Sequence, residues 1–322
     1  LSETNATLAY SRTPAPPASR CAWCEHQFDD ADDRLAGRTV CTRCGVATTS
    51  PWPSDAQLGE AYGDWYRPAN GRFSGLGDKL LRRSRSALAG RLHRVLPRGP
   101  VLDVGAGDGT LVRAFIRHGR EAVGVDPYAS ANHPHVRDVE LEQMDGSWSA
   151  VIFWHSLEHL REPVRALRHA ATLAAPGGML VVAVPNAASL QARTFGDRWL
   201  HLDVPRHLVH ISPPALVSAI EAAGFRVMRV SYLRGGQVVF GWLHGLVGKF
   251  FPGHPDLYDA IRRSEARQTA HSPLFRLYTL AAAVITLPAA LAATGFEVAA
   301  RAGGTVYVEA RREAGQEPAA TA

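Results

Sequence analysis

The segment Pro100-Val-Leu-Asp-Val-Gly-Ala-Gly-Asp-Gly-Thr-Leu-Val112 restricts this chain more than any other. An apolar run enters a turn with glycine at 105, 107 and 109, and an amphipathic stretch follows at once. A strand that ends in a glycine-rich turn and opens a helix is the first unit of a doubly wound α/β sheet. Glycine suits the turn because the backbone must bend tightly and approach a ligand where a Cβ would intrude. A second strand, Ala122-Val-Gly-Val-Asp126, puts a carboxylate at its C-terminal end, 23 residues beyond Asp103. A carboxylate so placed can accept hydrogen bonds from both ribose hydroxyls of an adenosine. The G-x-G-x-G spacing departs from the dinucleotide G-x-G-x-x-G, which sets NAD and FAD behind.

D-V-G-A-G-D-G at 103–109 and G-V-D-P at 124–127 resemble the first two motifs of class I S-adenosylmethionine-dependent methyltransferases. That resemblance implies S-adenosylmethionine as cofactor. Gly105, Ala106 and Gly107 would lie near its methionine part, in a binding set that includes Asp103. Asp126 and Pro127 would lie at the ribose. Tyr128 would lie beside the adenine, with core packing an equal alternative. The similarity continues through Ser149–Trp154, the L-E-H stretch at 157–159, a helix from Pro163 to Leu173, a P-G-G turn at 176–178 and a strand closed by Pro185-Asn186. It covers roughly residues 99–235. The implied fold is α/β, a Rossmann-like seven-stranded methyltransferase sheet. Phe225–Leu233 fits the sixth strand and Gly304–Arg311 an antiparallel seventh. The stretch between the second and fourth strands is short, and the third is expected at Val139–Glu142.

Cys21-Ala-Trp-Cys24 and Cys41-Thr-Arg-Cys44 are two C-x2-C pairs separated by 16 residues. Each pair can set two thiolates on one tight knuckle, and four thiolates complete a closed tetrahedral Zn²⁺ shell. With every coordination position filled by protein, the metal would be structural and this segment would fold around it. All the cysteines fall in this cluster, which suits a reducing compartment better than a disulfide framework. Residues 1–20 carry no basic-then-apolar signal, so a cytoplasmic protein is expected, with peripheral membrane contact left open. The cysteine module with the tyrosines that follow is also similar to the N-terminal region of bacterial methyltransferases acting on sugars, lipids or secondary metabolites.

Methyl transfer from a sulfonium is an in-line displacement, so catalysis rests on alignment and exclusion of water, with a base where the acceptor is a hydroxyl. Candidate bases lie where loops leave the C-terminal ends of the strands. His155 follows the fourth strand directly. His207 lies in a histidine-dense stretch, 195–210, between the fifth strand and a helix starting near Ser212-Pro213. For each histidine of this stretch, capping or bridging the loop to the body is an equal alternative. His155, Glu158 and His159 also offer a second, divalent-metal site. In the resembling ubiquinone-pathway O-methyltransferases, carboxylates and a histidine in this loop bind such an ion. A histidine in the first position favours a softer ion than Mg²⁺.

About 70 residues separate the expected sixth and seventh strands, far more than a usual connection. They include the apolar run 238–251 and then Leu277–Phe296, twenty residues without a charge. That length can cross a bilayer. A single crossing would strand the seventh strand away from its sheet, and the run is alanine-rich and interrupted by Pro288. A helical cap over an apolar pocket, a homodimer interface and a helical pair dipping into a membrane surface stay open. The organisation expected is a flexible tail (1–19), zinc ribbon (20–50), helical linker or lid (51–98), methyltransferase domain (99–235 and 304–312), hydrophobic helical insertion (236–303) and a second tail (313–322). Residues 76–96 read as a basic amphipathic helix of the linker.

The formal charge of +5 mildly favours anionic partners. The leading expectation is O- or C-methylation of a small, amphiphilic acceptor: lipid-linked, a sugar or a secondary metabolite. An RNA methyltransferase is the rival. It is disfavoured because the residues after the fourth strand are not the N-P-P-Y type used on base amines, and no basic-aromatic stacking platform is visible. A cofactor-binding partner subunit without turnover is the third reading.

Overall fold

Alternating apolar strands and amphipathic helices fold here as the periodicity predicts, and they do so around one sheet. The computed structural model describes residues 19–35, 37–63, 73, 76–127, 133–234, 237–264, 267, 269 and 271–313. Tyr128 lies outside them, as do the expected tails apart from their innermost residues.

Three short strands come first: β1 (Asp33–Leu35), β2 (Arg38–Val40) and β3 (Ala47–Thr49). Helix α1 (Asp55–Ala61) starts at a capping box in which Ser54 and Gln57 satisfy each other's backbone N–H groups. Helix α2 (Leu76–Val95) follows. The main domain then runs β4 (Val101–Val104), α3 (Thr110–Arg117), β5 (Ala122–Val125), β6 (Val136–Arg137), β7 (Trp148–Trp154), α4 (Pro163–Leu173) and β8 (Ala174–Pro185). Beyond it come α5 (Leu190–Phe195), β9 (Val209–His210), α6 (Pro213–Ala222) and β10 (Phe225–Ser231). The chain ends with α7 (Val238–Phe250), α8 (Leu257–Ile261), α9 (Pro273–Ala299) and β11 (Thr305–Arg312).

The seven-stranded sheet has the order β10-β11-β8-β7-β4-β5-β6. Its β4, β5, β6, β7 and β8 are parallel, and β11 enters antiparallel between β8 and β10. Both faces are covered. Leu102, Val104, Phe153 and Val182 face α4 and α6, whereas Val101, Ile152, Val181 and Tyr307 face α2 and α3. This burial on both sides explains why the strands read as continuous apolar runs. On α2, Leu88, Ala89 and Leu92 are buried, and Arg82, Arg83 and Arg94 stay exposed. Arg91 instead reaches the sheet, donating to Glu309 at 2.8 Å and to the Tyr307 hydroxyl at 3.0 Å.

Three expectations need correction. The third strand is Val136–Arg137, paired with Gly124 and Val125, and not Val139–Glu142. Glu140 and Gln143 cap each other's backbone around a 3-10 turn at 141–143, which removes those residues from any ladder. The P-G-G stretch is absorbed into β8 through a register shift opposite Trp148 and Ala150. Pro288 does not interrupt its apolar run, because α9 passes straight through it. Proline deprives the carbonyl four residues back, on Val284, of its partner. Val284 and Pro288 both lie on the exposed side, where that carbonyl can meet solvent.

Candidate active site

A cavity of about 1120 Å³ opens at the C-terminal ends of the parallel strands, where α/β sheets place their ligands. One end is formed by the turn between β4 and α3. Gly105, Gly107 and Gly109 all take left-handed backbone conformations, and a Cβ on Gly105 would sit 2.4 Å from the Cβ of Ser156. The turn is tied to β5, since the N–H groups of Gly105 and Ala106 both donate to the Val125 carbonyl. Asp126, 2% exposed, accepts from Gly107 N–H at 2.8 Å. Pro127 lines the same wall. Asp103 is buried beneath the turn. Burial pushes its carboxyl up to about 7, against the pull of Arg85 and with help from the charges of Asp126 and Asp108.

The opposite end gathers ionisable groups from separate stretches of chain. Glu158, 1% exposed, sits in a one-turn helix after β7, and both its carboxylate oxygens are buried without a hydrogen-bond partner. His155 Nδ1 approaches Glu158 Oε1 at 3.5 Å and His207 Nε2 at 3.9 Å. Burial would raise the Glu158 carboxyl, but the His155 contact and the charges of His159 and His207 outweigh it and hold it at about 2. Glu158 is therefore an anion at neutral pH. His159 is driven down to about 4 by burial and by His207, so its ring is neutral. Its Nδ1 lies 2.9 Å from the Arg206 carbonyl and 2.8 Å from the Tyr62 hydroxyl. His207 Nδ1 lies 2.8 Å from the His201 carbonyl. A carbonyl only accepts, so in both rings Nδ1 is a donor, and in neutral His159 this leaves Nε2 with a lone pair. Glu158, His159 and His207 each offer one atom within 4.8 Å of the others. A buried anion beside two imidazoles anchored through Nδ1 is a set suited to a cation.

Comparison with known proteins gives this cavity its context. Residues 80–230 match the protein family described as "Methyltransferase domain". This chain carries a methyltransferase domain. It is 29% identical over 153 residues to a ubiquinone biosynthesis O-methyltransferase of Aeromonas salmonicida, a match covering 41% of this chain and 64% of that one. Over 120 residues it is 31% identical to the protein of the same name from Bradyrhizobium sp., covering 31% of this chain and 47% of that one. In both cases the chain spans less than two thirds of the relative's length. Among solved structures, the 1,6-didemethyltoxoflavin-N1-methyltransferase of Burkholderia thailandensis is 15% identical with a TM-score of 0.44, covering 88% of this chain and 99% of that one.

The methyltransferase domain is joined to the cysteine module by backbone pairing. Cys21 and Cys44 sulfurs are 3.6 Å apart, as are those of Cys24 and Cys41. That is near the edge, about 3.8 Å, of a tetrahedron with metal–sulfur bonds of about 2.3 Å. Glu25 and Gly45, each just after a second cysteine, take left-handed conformations and return N–H groups to the Cys21 and Cys41 carbonyls. The hydrogen bond from Cys44 helps lower the Cys21 thiol to about 5, while the Cys44 thiol is pushed up. The module's last strand, β3, pairs antiparallel with β9, making a second sheet in the order β1-β2-β3-β9. Thr49 N–H donates to the Leu208 carbonyl at 3.0 Å, and its hydroxyl donates to the His207 carbonyl at 2.6 Å. The cysteine module thus holds the loop that presents His207 to the methyltransferase domain.

Every sequence-derived candidate of the methyltransferase domain within the described residues lines the cavity. Asp103, Gly105, Ala106, Gly107, Asp126 and Pro127 cluster at one end, with His155, Glu158, His159 and His207 at the other. The cation set differs from the expected one: His207 converges with Glu158 and His159, and His155 is not in the group. The reason is placement. His155 is the first residue after β7, with a left-handed backbone (φ 54°), and its ring stacks on His201. Sequence reasoning missed Tyr62, whose hydroxyl meets His159, and Thr49, behind His207. A capping-box signal at Ser54–Gln57 was available for α1, the helix that ends beside Tyr62. For Thr49 nothing local marked it.

Proposed function

We propose that this protein transfers the methyl group of S-adenosylmethionine to a hydroxyl of a small, amphiphilic acceptor. The observation that carries the reading is a single cavity with a glycine turn and a buried acceptor carboxylate at one end and Glu158, His155, His159 and His207 at the other. Gly105, Ala106 and Gly107 would pass beside the methionine part, and Asp126 would accept from the ribose hydroxyls. Both sequence relatives named above are ubiquinone biosynthesis O-methyltransferases, which supports oxygen as the acceptor atom. Leu81, Phe240, Tyr258 and Ile261 supply apolar wall for the acceptor's body.

In the displacement, an oxygen lone pair attacks the methyl carbon, the carbon–sulfur pair returns to sulfur, and the hydroxyl proton must leave. His155 is the base in this reading. It lies at the strand end, and Glu158 next to it stabilises the imidazolium that forms. Glu158, His159 and His207 fit a divalent ion: a buried carboxylate without hydrogen bonds and two imidazoles oriented through Nδ1 by backbone carbonyls. Such a nitrogen-rich set suits Zn²⁺ or a neighbouring transition ion better than Mg²⁺. When bound, the ion would lower the pKa of the acceptor hydroxyl. The four cysteines fit a structural Zn²⁺.

Calorimetric titration with S-adenosylhomocysteine tests the cofactor assignment. Wild type should bind, and Asp126→Ala should lose most of the affinity; a folded wild type that does not bind would sink the reading. Screening hydroxylated amphiphiles, in wild type and His155→Gln, then tests the acceptor end.

A further inference from the structure

The outer face of α9 has no partner among the described residues. The helix has 27 residues, and no charged residue occurs from Leu277 to Phe296. Leu274, Leu277, Val284, Ile285, Leu291 and Phe296 are all more than half exposed. The other face is committed to the protein: Thr279, Ala282, Ala283, Ala290 and Thr294 are buried. At its C-terminal end Glu297 is buried and accepts from Trp242 Nε1 at 2.8 Å, Gln191 Nε2 at 2.9 Å and Gln191 N–H at 3.1 Å. At the other end Arg276 donates to the Ala260 carbonyl. Both ends are thus fixed to the body, and β11 begins only a few residues later inside the sheet. A helix held in this way lies along a surface and does not cross a bilayer, although its length and mean hydropathy of 1.8 would allow it to.

We infer that α9 is a membrane-surface helix whose exposed face enters an anionic bilayer. Two observations favour a bilayer over a second copy of the chain. A helix of this length is about 40 Å long, and a band about 10 Å wide along it offers about 400 Å². That is half of the roughly 800 Å² per partner of a stable protein interface. Cations also stand exposed near both ends of the face. Lys249 is exposed beside Phe250 at the end of α7, which packs next to the start of α9 through Phe251 and Tyr278. Arg301 is exposed just past the far end. Of the acids of this region, Asp259 and Glu297 are buried, and the exposed Asp256 is turned toward His244 at 3.7 Å and caps the start of α8. Basic residues flanking an apolar face match acidic headgroups above acyl chains. The same insertion supplies Phe240 and Tyr258 to the cavity wall, which places the cavity close to the source of an amphiphile. Membrane binding itself does not depend on the proposed methyl transfer.

Flotation of the full chain with vesicles of phosphatidylglycerol and phosphatidylcholine tests the inference. Wild type should float with the vesicles and be released by alkaline carbonate. The variant Leu277→Glu/Ile285→Glu changes only exposed side chains, and an unaltered thermal unfolding transition would show that it folds. Its vesicle partitioning should fall at least ~100-fold, since each side chain contributes a large burial term. Lys249→Ala/Arg301→Ala should weaken binding to these vesicles by about tenfold and leave binding to pure phosphatidylcholine unchanged. Failure of wild type to float, or equal flotation of the glutamate variant, would overturn the inference. So would resistance to carbonate, the mark of a spanning helix. A dimer in sedimentation that the glutamate pair abolishes, without vesicle binding, would reassign the face to a second copy.

Discussion

The two ends of the cavity are built in opposite ways. The end proposed for the cofactor comes from one continuous piece of chain, β4 to Asp126, whose glycines, strand and carboxylate are fixed within about 25 residues. The histidine end is assembled from Tyr62, the loop after β7, the stretch 201–207 and, behind it, Thr49 of the cysteine module. A locally encoded site keeps its shape as long as one turn is intact. An assembled one depends on every element that delivers a residue, and these two should therefore fail separately.

The largest effect should come from the turn. Gly105→Val places a branched side chain in a left-handed conformation and drives its Cβ into Ser156. Calorimetry should find S-adenosylhomocysteine affinity reduced by more than ~100-fold, and retained affinity would show that the turn is not the cofactor's seat. Next comes the far end. Glu158→Gln removes the buried anion, and turnover should fall by about 10²–10⁴, the usual span for proton-transfer catalysis. The divalent ion proposed there should be lost with it while cofactor affinity stays within about threefold, and loss of both together would break the contrast. Cys41→Ser should act in the same selective direction but less strongly. It loosens β3, and through Thr49 the His207 loop, so turnover should drop before cofactor binding does.

The ends should also answer pH in opposite senses. His201 and His210 are buried and held neutral, each down to about 3 by burial and neighbouring charge. The unfolded chain takes up their protons near pH 6.5 and the folded chain does not, so stability is lost as pH falls below that value. At the cofactor end Asp103 titrates at about 7, above its unfolded value of 3.8. Its contribution is complete below pH 4 and is lost as pH rises through 7. Urea midpoints across pH 4–8 should show both slopes, with His201→Gln flattening the acid limb and Asp103→Asn the neutral one. The smallest expected change is Thr49→Val, which leaves the buried His207 carbonyl without its donor. It should cost about 1–3 kcal/mol of stability in urea unfolding.

What could be read from the sequence follows the same division. The strand, turn and Asp126 are neighbours in sequence, so their meeting at one end of the cavity can be inferred from spacing alone. Histidine density drew attention to His207, but its convergence with Glu158 depends on where two loops meet, and no periodicity encodes that. Val139–Glu142 had strand-like composition and became a turn because Glu140 and Gln143 satisfied each other's backbone first. Pro288 signalled a break that solvent exposure made unnecessary. The pairing of β3 with β9 joins residues some 160 positions apart in four backbone partners, too short a ladder for any pattern to announce.

The strand order also sets a timetable for synthesis. β11 lies between β8 and β10, yet it is made after both and after the whole of α9. A growing chain therefore holds two open ladder edges, with a long greasy segment already outside the ribosome, until residue 312 emerges. Open edges and exposed apolar chain invite wrong pairing. During those seconds the nascent protein would be a natural client for chaperones, and a bilayer able to take up α9 early would shelter it.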